Sequence, residues 1–208
     1  ALSFWRCAAG AVVLAPFGRR GFARLERDDW WLPVLAGLFL ALHFATWITS
    51  LELTSVANSV LLVTTAPVFV AFGARYFLKE RMSPAVWIGI ALALGGTALI
   101  AGGAEGGEAS LSGDALALVG AVVVAGYALA GQISRRKLGI VEYAVITYGA
   151  GALLLLPVCL IAGVELVGYS SKTWLAIGGM VVGPQILGHT VLNYVVKDID
   201  ATTILPPT

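Results

Sequence analysis

The chain has 208 residues, 59% hydrophobic and 12% charged, with a formal net charge of +1 and a mean hydropathy of +0.90. That composition excludes a soluble globular domain and is that of a membrane protein. A net charge so near zero points to neither nucleic acid nor an anionic partner, so the distribution of charge carries the information.

In chain order, a short apolar run at 7–18, with 1–5 before it, reads as a first helix. Six uncharged runs follow, at 32–51, 53–74, 82–104, 115–134, 143–164 and 173–196. Each holds roughly the 20 residues that carry a helix across ~30 Å of hydrocarbon. Residues 201–208 read as the start of an eighth helix. The chain begins without Met inside an apolar run and stops in ILPPT, so it is expected to be a fragment of about seven to eight helices. Cys7 and Cys159 fall in apolar helices and are read as small buried hydrophobes rather than a disulfide. No Cys/His metal spacing is present, and no cofactor is expected.

All but two of the 13 Lys and Arg residues fall on alternate connections. Arg19, Arg20, Arg24 and Arg27 form the first group; Arg75, Lys79 and Arg81 the second; Arg135, Arg136 and Lys137 the third, with Lys197 after the last run. The positive-inside rule puts these connections in the cytoplasm. Glu52, then Glu105, Glu108 and Asp114, then Glu165 with Lys172, mark the outer turns. Arg6 lies near the outer end of the first run, where snorkelling to the interface is the expectation. Trp5 and Trp174 fall at outer ends, and Trp30, Trp31 and Trp87 at inner ends, as interfacial tryptophans do. Trp47 alone sits inside a span.

GAVVLAP at 10–16 recurs as GALLLLP at 151–157, and LELTSVANS after the His43 span corresponds to VKDIDATTI after the His189 span. An odd number of spans separates the equivalents, so the two copies run in opposite directions. Inverted repeats allow two halves to exchange conformations around a central site, which is a transport architecture. The repeats are read as 1–104, lacking its first helix, and 112–208, lacking its last helices. The expected fold class is an all-α polytopic membrane protein with an inverted-repeat, five-plus-five, ten-helix transporter fold.

The stretches WITSLELTSVANSVLLVTTAPVFVAF, FLKERMS, GIALALGGTALIAGG and GPQILGHTVLNYVVKDIDA resemble the EamA family of the drug/metabolite transporter superfamily. The resemblance implies secondary transport, often export, of amino acids or other small metabolites across the inner membrane, without fixing the substrate. The expected function is thus a multi-pass secondary active transporter working by alternating access, with a small molecule and the lipid bilayer as partners and no nucleic acid. A coupling ion, and the choice of monomer or homodimer, are left open. The alternative is a non-transporting sensor or assembly protein on the same scaffold. Nothing resembles a nucleophile, a catalytic triad or paired carboxylates, so no enzyme is expected.

The spans hold no Asp, Glu, Lys or Arg near their centres, which leaves neutral polar side chains as the candidates for function. His43 and Trp47 are four residues apart and share a helix face. Gln185, His189 and Asn193 recur every four residues as a polar stripe. Thr64, Thr65 and Tyr127 lie at membrane depth. Asn58 belongs to the same set, although a cap at Ser55 would place it in a first turn. Pro67 and Pro184 cannot donate a backbone hydrogen bond and are expected to kink their helices. His43, Trp47, Thr64 and Thr65 are expected to face a cavity whose opposite wall is Gln185, His189 and Asn193. Small residues at four-residue spacing, Gly89, Ala93 and Thr97, Ala91 and Gly95, and Gly179 with Gly183, are expected to allow close helix approach.

Overall fold

A computed structural model describes residues 1–80, 82–102 and 110–191. Every regular element among them is helical: α1 (Leu2–Phe22), α2 (Trp31–Leu53), α3 (Val56–Val63), α4 (Ala66–Gly73), α5 (Pro84–Gly102), α6 (Leu111–Ser134), α7 (Ile140–Ile161) and α8 (Ser171–Met180). A 3-10 turn, Arg27–Asp29, precedes α2, and π-helical segments Ala74–Leu78 and Val181–His189 extend α4 and α8. Four helical stretches are long and apolar enough to cross a membrane: Arg27–Leu53, Val56–Leu78, Leu111–Ser134 and Ile140–Ile161. Of the two other expected spans, α5 is apolar over the shorter Pro84–Ile100, and the run 173–196 leaves the described residues after 191.

Local chemistry accounts for the boundaries. α1 outruns its apolar core because arginine is a good helix former, and Arg19 and Arg20 in its last turn suit the negative end of the helix dipole. α2 continues through Glu52, so the outer turn lies at Thr54 and Ser55 rather than around Glu52. Ser55 caps α3 by accepting from the Asn58 N–H at 3.1 Å. Between α3 and α4 the helix breaks at Thr64 and Thr65, two residues before Pro67, whose ring nitrogen has no hydrogen for the Val63 carbonyl.

The chain forms two compact units. Among the described residues, one contains 1–41 and 130–191, and the other lies within 42–129. Each unit draws on both sequence halves. In the first, α1 and α7 pack antiparallel: a methyl group at Gly10 would lie 3.2 Å from Tyr148, and one at Gly18 would lie 3.3 Å from Val141. Gly151 faces Cys7 on α1 and the Gly37 carbonyl on α2. Cys7 and Cys159 are free thiols, both buried. Arg6 is only 4% exposed, so the snorkelling expectation fails. It stands four residues before Gly10, which places it on the α1 face that packs inward.

In the second unit α6 lies against α2. The Thr54 hydroxyl donates to Asp114 at 2.7 Å, and Ser50 and Ser59 share a buried hydrogen bond of 2.6 Å that ties α2 to α3. At the small-residue stripes, methyl groups at Gly89, Gly95, Gly179 and Gly183 would meet nothing within 4 Å among the described residues. Spacing records a capacity for close approach, not the presence of a neighbour. The tight contact is at Gly113, where a methyl group would sit 2.8 Å from the Thr54 nitrogen and 2.9 Å from the Leu53 carbonyl carbon. Gly113→Ala is therefore expected to cost about 1–3 kcal/mol, because backbone must move. Thermal unfolding in detergent checks it, with Gly89→Ala as the neutral comparison.

Polar groups buried at membrane depth

On α2, His43 is 6% exposed and Trp47 stacks on it with ring centroids 5.5 Å apart and an interplanar angle of 19°. The His43 Nδ1 lies 3.0 Å from the Gly120 carbonyl on α6. A carbonyl oxygen only accepts, so Nδ1 carries the hydrogen. Gly120 makes room for this approach, since a methyl group there would lie 3.2 Å from Thr46 Oγ1 and 3.5 Å from Trp47 Cβ. The Trp47 indole N–H is buried without a hydrogen-bond partner among the described residues. Tyr127, on α6 in the same unit, is 1% exposed.

Thr64 and Thr65 are half-buried, and their hydroxyls donate to the carbonyls of Leu61 at 2.8 Å and Leu62 at 2.6 Å. Those bonds serve the helix break itself. Asn58 is half-buried in the first turn of α3, and Pro67 is exposed. His43→Leu is expected to lower stability by about 1 kcal/mol through loss of the bond to Gly120. Denaturation of the purified variant in detergent measures it, and His43→Asn, which keeps a donor, is expected to recover part of the loss.

The other unit holds the second group. Gln185 is fully buried, yet neither its carboxamide oxygen nor its nitrogen has a hydrogen-bond partner among the described residues. Its backbone carbonyl accepts from the Tyr148 hydroxyl at 3.1 Å, and that hydroxyl also lies 3.1 Å from Thr190 Oγ1. Gly10 completes the cluster, because a methyl group there would be 3.2 Å from both Gln185 Cγ and Tyr148 Cδ2. Gln185 follows Pro184 inside the π-helix, and His189 at its end is half-buried.

The four-residue spacing of Gln185 and His189 runs through this π-helix, which closes its hydrogen bonds at i to i+5. Gln185 is enclosed while His189 is not. Asn193 lies outside the described residues. The two groups, His43 with Trp47 and Gln185 with His189, belong to different units.

Sequence reasoning missed Gly10 and Tyr148 as neighbours of Gln185, and missed that Arg6 is buried. The signals were present: an arginine within an apolar run, and a glycine that opens one copy of the repeated motif. Among the described residues no three His, Cys, Asp or Glu side chains cluster as a metal site.

Four helical stretches long and apolar enough to cross a membrane, among the described residues, are those of a multi-pass membrane protein. The family model described as EamA-like transporter matches residues 1–102 and 111–207, and the chain belongs to that family. It is 30% identical over 99 residues to a riboflavin transporter of Rhizobium johnstonii, covering 47% of this chain and 33% of that protein. It is also 30% identical over 142 residues to an uncharacterized transporter of Bacillus subtilis, YdfC, covering 68% of this chain and 46% of that protein. The chain thus spans less than half the length of either relative. A crystal structure of a protein at 23% identity superposes with a TM-score of 0.76 over 94% of this chain and 69% of its own, a likeness of fold.

Proposed function

We propose that the protein is a secondary active transporter of the inner membrane, an exporter of small metabolites such as amino acids, working by alternating access. The observation that carries this reading is Gln185, whose buried carboxamide offers a donor and an acceptor with no hydrogen-bond partner among the described residues. Leaving such a group unpaired costs about 1–3 kcal/mol, a cost that persists where function needs the group. Its place beside Pro184 in a π-helix supports the reading, since π segments concentrate at functional positions and readily change register.

The substrate-contacting residues are then His43, Trp47 and Tyr127 in one unit, and Gln185 and His189 in the other, with Asn193 added. Asn58, Thr64 and Thr65 take a weaker part, because the hydroxyls of the two threonines and the backbone of Asn58 already serve the helix. Residues 1–104 and 112–208 are the two inverted repeats of a ten-helix, five-plus-five fold, and Pro67 and Pro184 mark where their helices bend. A riboflavin transporter among the relatives adds flavins to the substrates worth testing. Full-length protein in proteoliposomes, offered labelled amino acids and riboflavin, is expected to show saturable flux that unlabelled substrate exchanges. Ion conductance with no saturable flux would overturn the carrier reading in favour of a channel. A structure with the polar residues paired to one another and no flux of either kind would favour the non-transporting sensor.

A further inference from the structure

Arg6 is the one charged side chain between residues 1 and 18, and it is 4% exposed. Enclosing a guanidinium is costly, so what surrounds it decides what it is for. Three elements of the first unit meet there. Trp5 donates its indole N–H to the Leu166 carbonyl at 2.8 Å and meets Trp174 edge to face, which ties this end of α1 to α8 and the loop before it. Gly10, one turn after Arg6, shares its helix face. A methyl group at Gly10 would lie 3.2 Å from both Tyr148 Cδ2 on α7 and Gln185 Cγ on the π-helix. Arg6 itself lies within electrostatic range of Tyr148.

The two polar side chains of this cluster are chemically complementary to one ligand group. A guanidinium presents paired N–H donors in a planar fork, and the Gln185 carboxamide adds an N–H donor and a carbonyl acceptor. Neither carboxamide atom has a hydrogen-bond partner among the described residues. The described carboxylates of this unit lie elsewhere. Glu26, Asp28 and Asp29 follow the far end of α1, and Glu142 lies against Gly21, 15 positions after Arg6 and about 22 Å along the helix axis. Glu165 adjoins Leu166 at the Arg6 end and is exposed to solvent.

We propose that Arg6 and Gln185 form an anion site for the carboxylate of the substrate, with the guanidinium bidentate on its two oxygens and the Gln185 amide nitrogen donating to one of them. A carboxylate suits this donor set better than a phosphate, because the Gln185 carbonyl oxygen accepts from a substrate N–H and repels further anionic oxygens. Both side chains are enclosed, so the site is closed as described, and substrate reaches it when the Val181–His189 segment shifts against α1. The role of Gln185 rests on the transport reading above; Arg6 adds the chemical class.

The test is equilibrium binding and thermal unfolding of the purified full-length protein with labelled amino acids, the matching amino-acid amides, and riboflavin. At least one amino acid is expected to bind and raise the melting temperature, and its amide to bind at least about tenfold less well. Arg6→Gln should erase that difference. Arg6→Lys keeps the charge without the fork, so it should keep the preference for the acid at lower affinity. Equal binding of acid and amide by the wild type, a preference that persists in Arg6→Gln, or binding of no amino acid would each overturn the site. Because binding is read without flux, the two readings fail separately. Carboxylate binding without saturable flux in proteoliposomes would keep this site and remove the carrier, whereas saturable riboflavin flux without amino-acid binding would do the reverse. Should Arg6→Gln fail to fold, the acid and amide comparison on the wild type and Arg6→Lys still decides the matter.

Discussion

Gln185→Leu is expected to abolish transport while leaving the protein as stable as the wild type, or more so by about 1–3 kcal/mol. The side chain is fully enclosed, and both of its polar atoms lack hydrogen-bond partners among the described residues. Leucine fills similar space and carries nothing to leave unpaired, so the folded state loses a penalty rather than a bond. A buried glutamine that served only packing would give the second result without the first. Thermal unfolding and flux on one preparation separate the two roles. Gln185→Glu is a sharper companion, since it keeps size and adds a charge that burial resists, and its loss of stability would exceed that of any neutral replacement.

Gly37→Ala is expected to destabilise the first unit by about 1–3 kcal/mol, and Gly37→Leu to prevent its folding. A methyl group at this buried position on α2 would stand 2.6 Å from the Thr147 carbonyl oxygen and 2.6 Å from Ala150 Cβ, with the Gly151 nitrogen at 3.1 Å. Backbone atoms of α7 cannot swing aside as the tip of a long side chain can. The Thr147 hydroxyl also donates to the Pro33 carbonyl at 3.2 Å, so separating the helices stretches that bond as well. Gly21→Ala provides the contrast: the atoms it meets are the carboxylate of Glu142, at the end of a flexible chain, and a rotamer change relieves the contact. Expression yield and melting temperature of the three variants in detergent check the ranking.

Features governed by a few neighbouring residues were legible in the sequence. The Ser55 cap, the break beside Pro67 and the threonine hydroxyls turned back to their own helix all depend on contacts within one or two turns. Trp5 and Trp174, both expected at outer ends, meet edge to face with ring centroids 5.3 Å apart. Features that depend on which helix lies opposite were not legible. Gly37 and Gly113 sit singly in the sequence yet make the tightest approaches to neighbouring backbone, while the regular stripe of small residues on α5 has open space beside its glycines.

Arg6 was misread for the same reason. Its position in the run says how deep it lies, but only the packing of α1 on α7 decides that it faces inward. The π-helix from Val181 to His189 was hidden because a four-residue polar spacing is equally compatible with an α-helix. The outcome separates Gln185 from His189, which the spacing alone had treated as equivalent.

The central claim is that Gln185 is retained for the substrate rather than for the fold. Substrate counterflow tests it most directly, with full-length wild type and Gln185→Leu reconstituted at matched density and preloaded with the substrate found in the flux panel. The account predicts transient accumulation of external label in wild-type vesicles and none above protein-free vesicles for Gln185→Leu. Equal accumulation by the two proteins would contradict it.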